Sequence, residues 1–223
     1  MLSVIFHQNI LVNGVTYVKA KIDYTLYLVT DRDVLKGRDL CNSIEQAILG
    51  GTTLIQLREK NVSSLDFFSI ASSVKAVTDK YNVPLIINDR LDIALAIDAA
   101  GVHLGQSDLP CTIARHILGS HKILGISAAT LEEALEAQEA GADYIGVGAV
   151  FPTDTKLDAR SVTIAALKNI KDSLSIPVVA IGGINENNFM QLKPAGIDGI
   201  AVVSAILGKE NIMEAAKKLG NFR

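Results

Sequence analysis

Excess charge of either sign is missing from this chain. Its 21 Lys and Arg stand against 24 Asp and Glu, a net charge of −3, with no basic tract or Lys/Arg run. That argues against a nucleic-acid partner, which needs a basic patch or stripe. Any anion must therefore be held by a local group of residues. Cysteine is equally scarce. Cys41 and Cys111 are the only two, in unrelated contexts and without metal-ligand spacing. Neither a disulfide framework nor a zinc site is expected, and a reducing compartment suits the chain. No apolar run is long enough to span a bilayer, and the N-terminus lacks the charged-then-apolar pattern of a signal peptide. The expectation is a soluble, cytoplasmic protein with no membrane partner. One further absence concerns glycine. No G-x-G-x-x-G follows the first candidate strand, where a doubly wound sheet places its dinucleotide fingerprint; Thr30-Asp31-Arg32 stands there instead.

What the chain does have is apolar mass. It has 223 residues, 49% of them hydrophobic and 20% charged, with a mean hydropathy of +0.31. That suffices for one large core, and α/β barrels of this size form single domains. From about Tyr24 onward, short apolar runs alternate with longer segments of helical spacing. Candidate strands are residues 26–30, 53–58, 84–88, 102–104, 123–127, 144–147, 177–181 and 199–203. Residues 131–137 and 164–170 show the helical spacing between them. Strict alternation implies right-handed βαβ units on a parallel sheet, and eight units match the count that closes a TIM (β/α)8 barrel. The expected organisation is one barrel domain over residues 23–223, preceded by an N-terminal extension over 1–22. In that extension residues 4–6 and 15–18, separated by Asn13-Gly14, read either as a small hairpin or as a loosely attached segment. Glycines at 50–51, 101, 141 and 196 precede strands and read as helix C-caps at the stable end of the barrel.

Chemistry in such barrels gathers at the C-terminal ends of the strands. The second strand ends in Gln56-Leu57-Arg58-Glu59-Lys60, where alternation sends Gln56 and Arg58 to one face. The third ends in Asn88-Asp89-Arg90 and the fourth runs into Gly105-Gln106-Ser107-Asp108. The fifth ends at Ser127. The sixth opens Gly148-Ala149-Val150-Phe151-Pro152-Thr153-Asp154-Thr155-Lys156. The seventh gives Gly182-Gly183 and the eighth Ser204. Each has an ordinary reading: a solvated loop at 58–60, helix caps at Asn88, Asp89 or Asp108, and a tight turn at Gly182-Gly183. Taken together, nearly every end carries groups suited to a phosphate or a cation. Asp89 and Asp108 on neighbouring strand ends suit a hard divalent ion such as Mg²⁺, which takes one or two carboxylates plus phosphate oxygens and waters. Lys60, Lys156, Thr153 and Thr155 suit a pyrophosphate, and Gly183 with Ser204 suits a second phosphate. Two phosphorylated small molecules in one pocket are expected.

From about Asp23 onward the chain resembles the thiamine phosphate synthase family of TIM-barrel transferases. The motifs that carry the resemblance are Leu28-Val29-Thr30-Asp31, Gln56 to Lys60, Ile87-Asn88-Asp89-Arg90, Val102 to Asp108, Gly148 to Lys156 and Ala180-Ile181-Gly182-Gly183-Ile184. The resemblance implies joining of hydroxymethylpyrimidine pyrophosphate to a thiazole phosphate, with release of pyrophosphate through an Mg²⁺-assisted pyrimidine cation. It implies Asp89 and Asp108 on the metal, and Gln56, Arg58, Lys60 and Asn88 on the pyrimidine pyrophosphate. Ser127 falls near the reaction centre. Thr153, Thr155 and Lys156 fall on the leaving group and the thiazole phosphate, with Lys156 also catalytic. Gly183, Val203 and Ser204 fall on the thiazole phosphate. His103, inside the fourth strand, reads as a hydrogen-bonded core histidine. Relatives often carry a histidine two residues after Ser127, and in related thiazole tautomerases that histidine is the proposed acid/base. Here Ala129 stands at that position. The isomerase alternative is weakened thereby, and a non-catalytic phosphate-ester sensor is the third reading. The loop at 157–162 departs from the proline-bearing form of relatives, with little effect expected. Whether the chain works alone or as a homo-oligomer stays open.

Overall fold

The computed structural model describes residues 8–12, 15–19, 21–153 and 160–222. Strands β1 (Gln8–Val12) and β2 (Val15–Lys19) pair antiparallel, with Val12 opposite Val15. The first hairpin strand thus lies later than residues 4–6, which fall outside the described residues. The remaining strands are β3 (Leu26–Val29), β4 (Leu54–Leu57), β5 (Leu85–Asn88), β6 (Gly101–Leu104), β7 (Ile123–Ala128), β8 (Tyr144–Val147), β9 (Val178–Ile181) and β10 (Gly199–Val202). They close in the order β10-β3-β4-β5-β6-β7-β8-β9, every pair parallel. All eight expected strands are present, so the TIM barrel holds.

Helices α1 (Arg32–Leu35), α2 (Leu40–Leu49), α3 (Ser64–Lys80), α4 (Leu91–Ala96), α5 (Cys111–Leu118), α6 (Leu131–Glu139), α7 (Ile164–Ser173), α8 (Ser204–Leu207) and α9 (Ile212–Leu219) fill the connections. A 3₁₀ segment, Phe189–Ala195, takes the helix position after β9, and Pro194 lies within it. Helix starts follow from local chemistry: Asp39, Ser63, Thr130, Thr163 and Asn211 each accept a first-turn amide.

Alternation along the strands divides the core into two layers. Leu26, Leu28, Ile55, Leu57, Ile87, Ile145 and Ile200 face outward and pack with helix residues such as Ile44, Phe67 and Leu167. Tyr27, Val29, Leu54, Ile86, Ile123, Tyr144, Val179 and Ala201 face inward and fill the barrel. Gly101 departs from the expectation of a C-cap. It is the first residue of β6, and a Cβ there would overlap the Ile123 carbonyl. The left-handed position after α4 falls instead to Asp98, at φ +53°.

Candidate active site

The strand ends bring most of the predicted residues onto one rim. Gln56 points inward from β4, only 5% exposed, and its Nε2 donates to Tyr27 Oη at 2.7 Å. Arg58, just past β4, donates from Nη1 to Asp31 Oδ2 at 3.0 Å, while its backbone amide donates to Thr30 Oγ1 at 3.0 Å. Lys60 crosses to the next strand end, where Nζ lies 2.6 Å from Asp89 Oδ2. Asn88 closes β5 and donates from Nδ2 to Asp89 Oδ1 at 2.6 Å. Asp89 itself sits at φ +62°, a conformation that costs a non-glycine residue energy and persists where the surroundings enforce it.

The capping alternatives fall away for both carboxylates. The N-cap of α4 is Arg90 and that of α5 is Pro110, and neither start has a side-chain cap. Asp108 instead turns back, and its Oδ2 accepts from the Gly105 amide at 2.6 Å. Burial, and then the adjacent Asp89 carboxylate, push the Asp108 carboxyl above its ordinary range, while the Gly105 amide and Lys60 oppose this. The two carboxyl groups thus lie within hydrogen-bonding reach of each other, an arrangement that favours a proton on Asp108, with Lys60 as the cation beside them. Among the described residues no group of three or more His, Cys, Asp or Glu side chains could hold a metal by itself. Two carboxylates nevertheless match the protein share of an Mg²⁺ shell completed by substrate phosphates and water.

Across the rim, the segment after β8 is laced to the end of β9. Val150 N donates to Ile181 O and Phe151 N to Gly182 O, each at 3.1 Å. Half-buried Thr153 follows directly; Thr155 and Lys156 lie outside the described residues. Gly183, at φ +65°, lies so close to Phe151 and Pro152 that a Cβ would overlap their carbonyls. Its own carbonyl accepts from Asn188 Nδ2 at 2.9 Å and from Asn185 Nδ2 at 3.2 Å. Val203 and Ser204 follow β10, with exposed Ser204 opening α8. Ser127, near the end of β7, has its Oγ 2.9 Å from His103 Nε2, so His103 is the hydrogen-bonded strand residue expected. Ala129, where tautomerases carry histidine, is half-buried, and its amide donates to Glu133 Oε2 at 2.8 Å.

The sequence reading missed three contributors. Asp31 both caps α1 and holds Arg58, and Asn185 and Asn188 brace the Gly183 turn. A separate cleft of about 480 Å³ near α2 and α9, lined by Arg38, Asp39, Gln46 and Glu210 among others, holds none of the rim residues. No helix among the described residues is long and apolar enough to cross a membrane.

A closed parallel barrel of eight strands makes this a (β/α)8 protein, and the paired carboxyl groups, lysine and glycine turn at its mouth are groups suited to a phosphate. The family described as thiamine monophosphate synthase matches residues 26–206. A thiamine-phosphate synthase of Clostridium tetani is 64% identical over 201 residues, covering 90% of this chain and 96% of that protein. One from Alkaliphilus oremlandii is 65% identical over 198 residues, covering 89% and 95%. The solved thiamine phosphate pyrophosphorylase of Pyrococcus furiosus superposes with a TM-score of 0.83 at 41% identity, over 90% of this chain and 95% of that one. The chain belongs to the thiamine-phosphate synthase family.

Proposed function

We infer that the chain condenses hydroxymethylpyrimidine pyrophosphate with a thiazole phosphate, giving thiamine phosphate and pyrophosphate. The observation that carries this reading is the Lys60–Asp89–Asp108 cluster spanning the ends of β4, β5 and β6. Two adjacent carboxyl groups beside a lysine suit a metal pyrophosphate.

In this reading the bond from the pyrimidine methylene carbon to the pyrophosphate oxygen breaks, and its electron pair leaves with pyrophosphate. The thiazole nitrogen lone pair then forms the new C–N bond to the pyrimidine cation. Asp89 and Asp108 would hold Mg²⁺, which when bound neutralises charge growing on the leaving oxygen. Lys60 adds positive charge at the same place, and Asn88 holds the Asp89 carboxylate in position through its amide. Gln56 and Arg58 seat the pyrimidine pyrophosphate, with Asp31 keeping Arg58 at the rim until substrate arrives. Ser127 stands at the reaction centre. Thr153, Thr155 and Lys156 take the leaving pyrophosphate and the partner phosphate, while Gly183, Val203 and Ser204 cradle the thiazole phosphate.

The catalytic unit is residues 23–223, with 1–22 an appendage that precedes the family match. A cytoplasmic setting belongs to the same reading, since Cys41 and Cys111 are unpaired thiols.

Asp89→Ala and Lys156→Ala test the assignment. Both variants should keep the circular dichroism of the parent, with Asp89→Ala melting lower because alanine tolerates the left-handed backbone less well than aspartate, yet lose most product formation. Parent-like turnover in both would remove these roles.

A further inference from the structure

The barrel interior holds a polar feature that packing alone does not require. Gln56 Nε2 lies 2.7 Å from Tyr27 Oη, Tyr27 Oη 2.8 Å from Tyr144 Oη, Tyr144 Oη 2.9 Å from His103 Nδ1, and His103 Nε2 2.9 Å from Ser127 Oγ. Five side chains from β4, β3, β8, β6 and β7 thus form one hydrogen-bonded line across the barrel. Barrels of this kind ordinarily fill these layers with Val, Ile and Leu, and a buried polar line is costly unless every member is satisfied.

The barrel is hollowed to admit it. A Cβ at Gly125, beside Tyr144 in register, would overlap the Tyr144 ring. A Cβ at Gly146, beside Ser127 in register, would sit 3.1 Å from His103 Cε1. Two glycines in adjacent strands therefore leave room for the phenol and the imidazole.

We propose that Tyr27 and Tyr144 are positioning residues which, through His103, aim the Ser127 hydroxyl proton at the bound substrate. The direction follows from donor counting. The Gln56 amide nitrogen can only donate, so Tyr27 Oη accepts there and spends its single proton on Tyr144. Tyr144 then spends its own proton on His103 Nδ1. That nitrogen must be the unprotonated one, and Nε2–H donates to Ser127 Oγ. The Ser127 proton is left over. Ser127 is half-exposed near the strand end, where Gln106 Nε2 donates to its backbone carbonyl at 2.6 Å. The proton therefore points toward a hydrogen-bond acceptor on the substrate, the class to which pyrimidine ring nitrogens belong. Burial raises both phenols well above their ordinary range, so both keep their protons near neutral pH.

This proposal rests on the transferase reading, and its test separates the two. Long-range ¹H–¹⁵N spectra of histidine-labelled protein, with His103 assigned by comparison with His103→Gln, report the tautomer without substrate. The Nε2–H tautomer is expected in the parent protein. In Tyr144→Phe the His103 signals should shift toward a tautomer mixture. Its kcat should fall about tenfold to a hundredfold, the size of effect expected from a misaimed group, while KM stays within about twofold. Tyr27→Phe should change kcat in the same direction by less. An Nδ1–H tautomer in the parent, or kcat unchanged in both variants with only Tm lowered, overturns the proposal. An inactive parent would remove the transferase reading, and the tautomer would still decide the direction of the line.

Discussion

Replacing Asp108 with Asn distinguishes a carboxylate kept for a metal from one kept for structure. Asp108 Oδ2 accepts from Gly105 N at 2.6 Å, a bond that the Asn side-chain oxygen can still accept. What the substitution removes is a negative charge that is partly buried and faces Asp89. A carboxyl whose pKa is raised on folding destabilises the folded state once it ionises. Without metal the protein therefore loses stability as pH rises through that raised value. Below the ordinary carboxylate range both folded and unfolded chains carry the proton, and the penalty is absent. At neutral pH, relief of the charge should stabilise the metal-free protein by about 0.5–1 kcal/mol, the usual yield of correcting an unfavourable charge. For a chain of this length about 1 kcal/mol moves Tm by roughly 2–4 °C, so a rise of about 1–4 °C is expected. Product formation in Mg²⁺ should fall about a hundredfold or more, equivalent to losing about 2.7 kcal/mol of transition-state stabilisation. Thermal scans in chelator and in Mg²⁺ with pyrophosphate, run beside a product assay, read both effects. A lowered Tm with turnover retained would mean that Asp108 is a strut for the Gly105 turn, and the metal argument would fail.

Gly125→Ala drives a methyl into the Tyr144 ring and should cost about 1–3 kcal/mol in urea unfolding. Gly220→Ala, where a Cβ meets nothing within 4 Å, should stay within about 0.5 kcal/mol. Equal small effects at the two sites would contradict the seating of Tyr144. Arg115 donates to Gly119 O and Lys122 O at 2.8 Å each, to Gly141 O at 2.9 and 3.0 Å, and to Asp143 Oδ2 at 2.7 Å. Lys cannot reach that set from one nitrogen, so Arg115→Lys should cost about 2–3 kcal/mol while leaving kcat unchanged. A loss below about 0.5 kcal/mol would show that the guanidinium bonds are individually dispensable.

The barrel was legible because parallel strands buried on both faces read as short apolar runs, and Tyr144-Ile145-Gly146-Val147 is entirely buried as that pattern predicts. The rim was legible for a related reason: polar residues immediately after such runs have few places to go other than the C-terminal mouth. What could not be read were contacts made only when the barrel closes. Tyr27 and Tyr144 are 117 positions apart and each looks like an ordinary core aromatic in its own strand. Gly101 misled because Ala100-Gly101 precedes a strand as a C-cap would, whereas its constraint comes from the neighbouring Ile123 backbone. Asp31 was visible in the Thr30-Asp31 motif, but its hold on Arg58 depends on β3 and β4 lying side by side. Asn185 and Asn188 carry the spacing of a local turn, a signal that could have been read as bracing for Gly183.

The central claim is a metal-assisted exchange of pyrophosphate for a thiazole at the mouth of this barrel. Incubating the purified protein with Mg²⁺, hydroxymethylpyrimidine pyrophosphate and thiazole phosphate, and following products by chromatography, tests it most directly. The account predicts thiamine phosphate and pyrophosphate in equal amounts, both abolished by chelator and restored by added Mg²⁺. Folded protein that yields neither product, or yields both in full with chelator present, would contradict it.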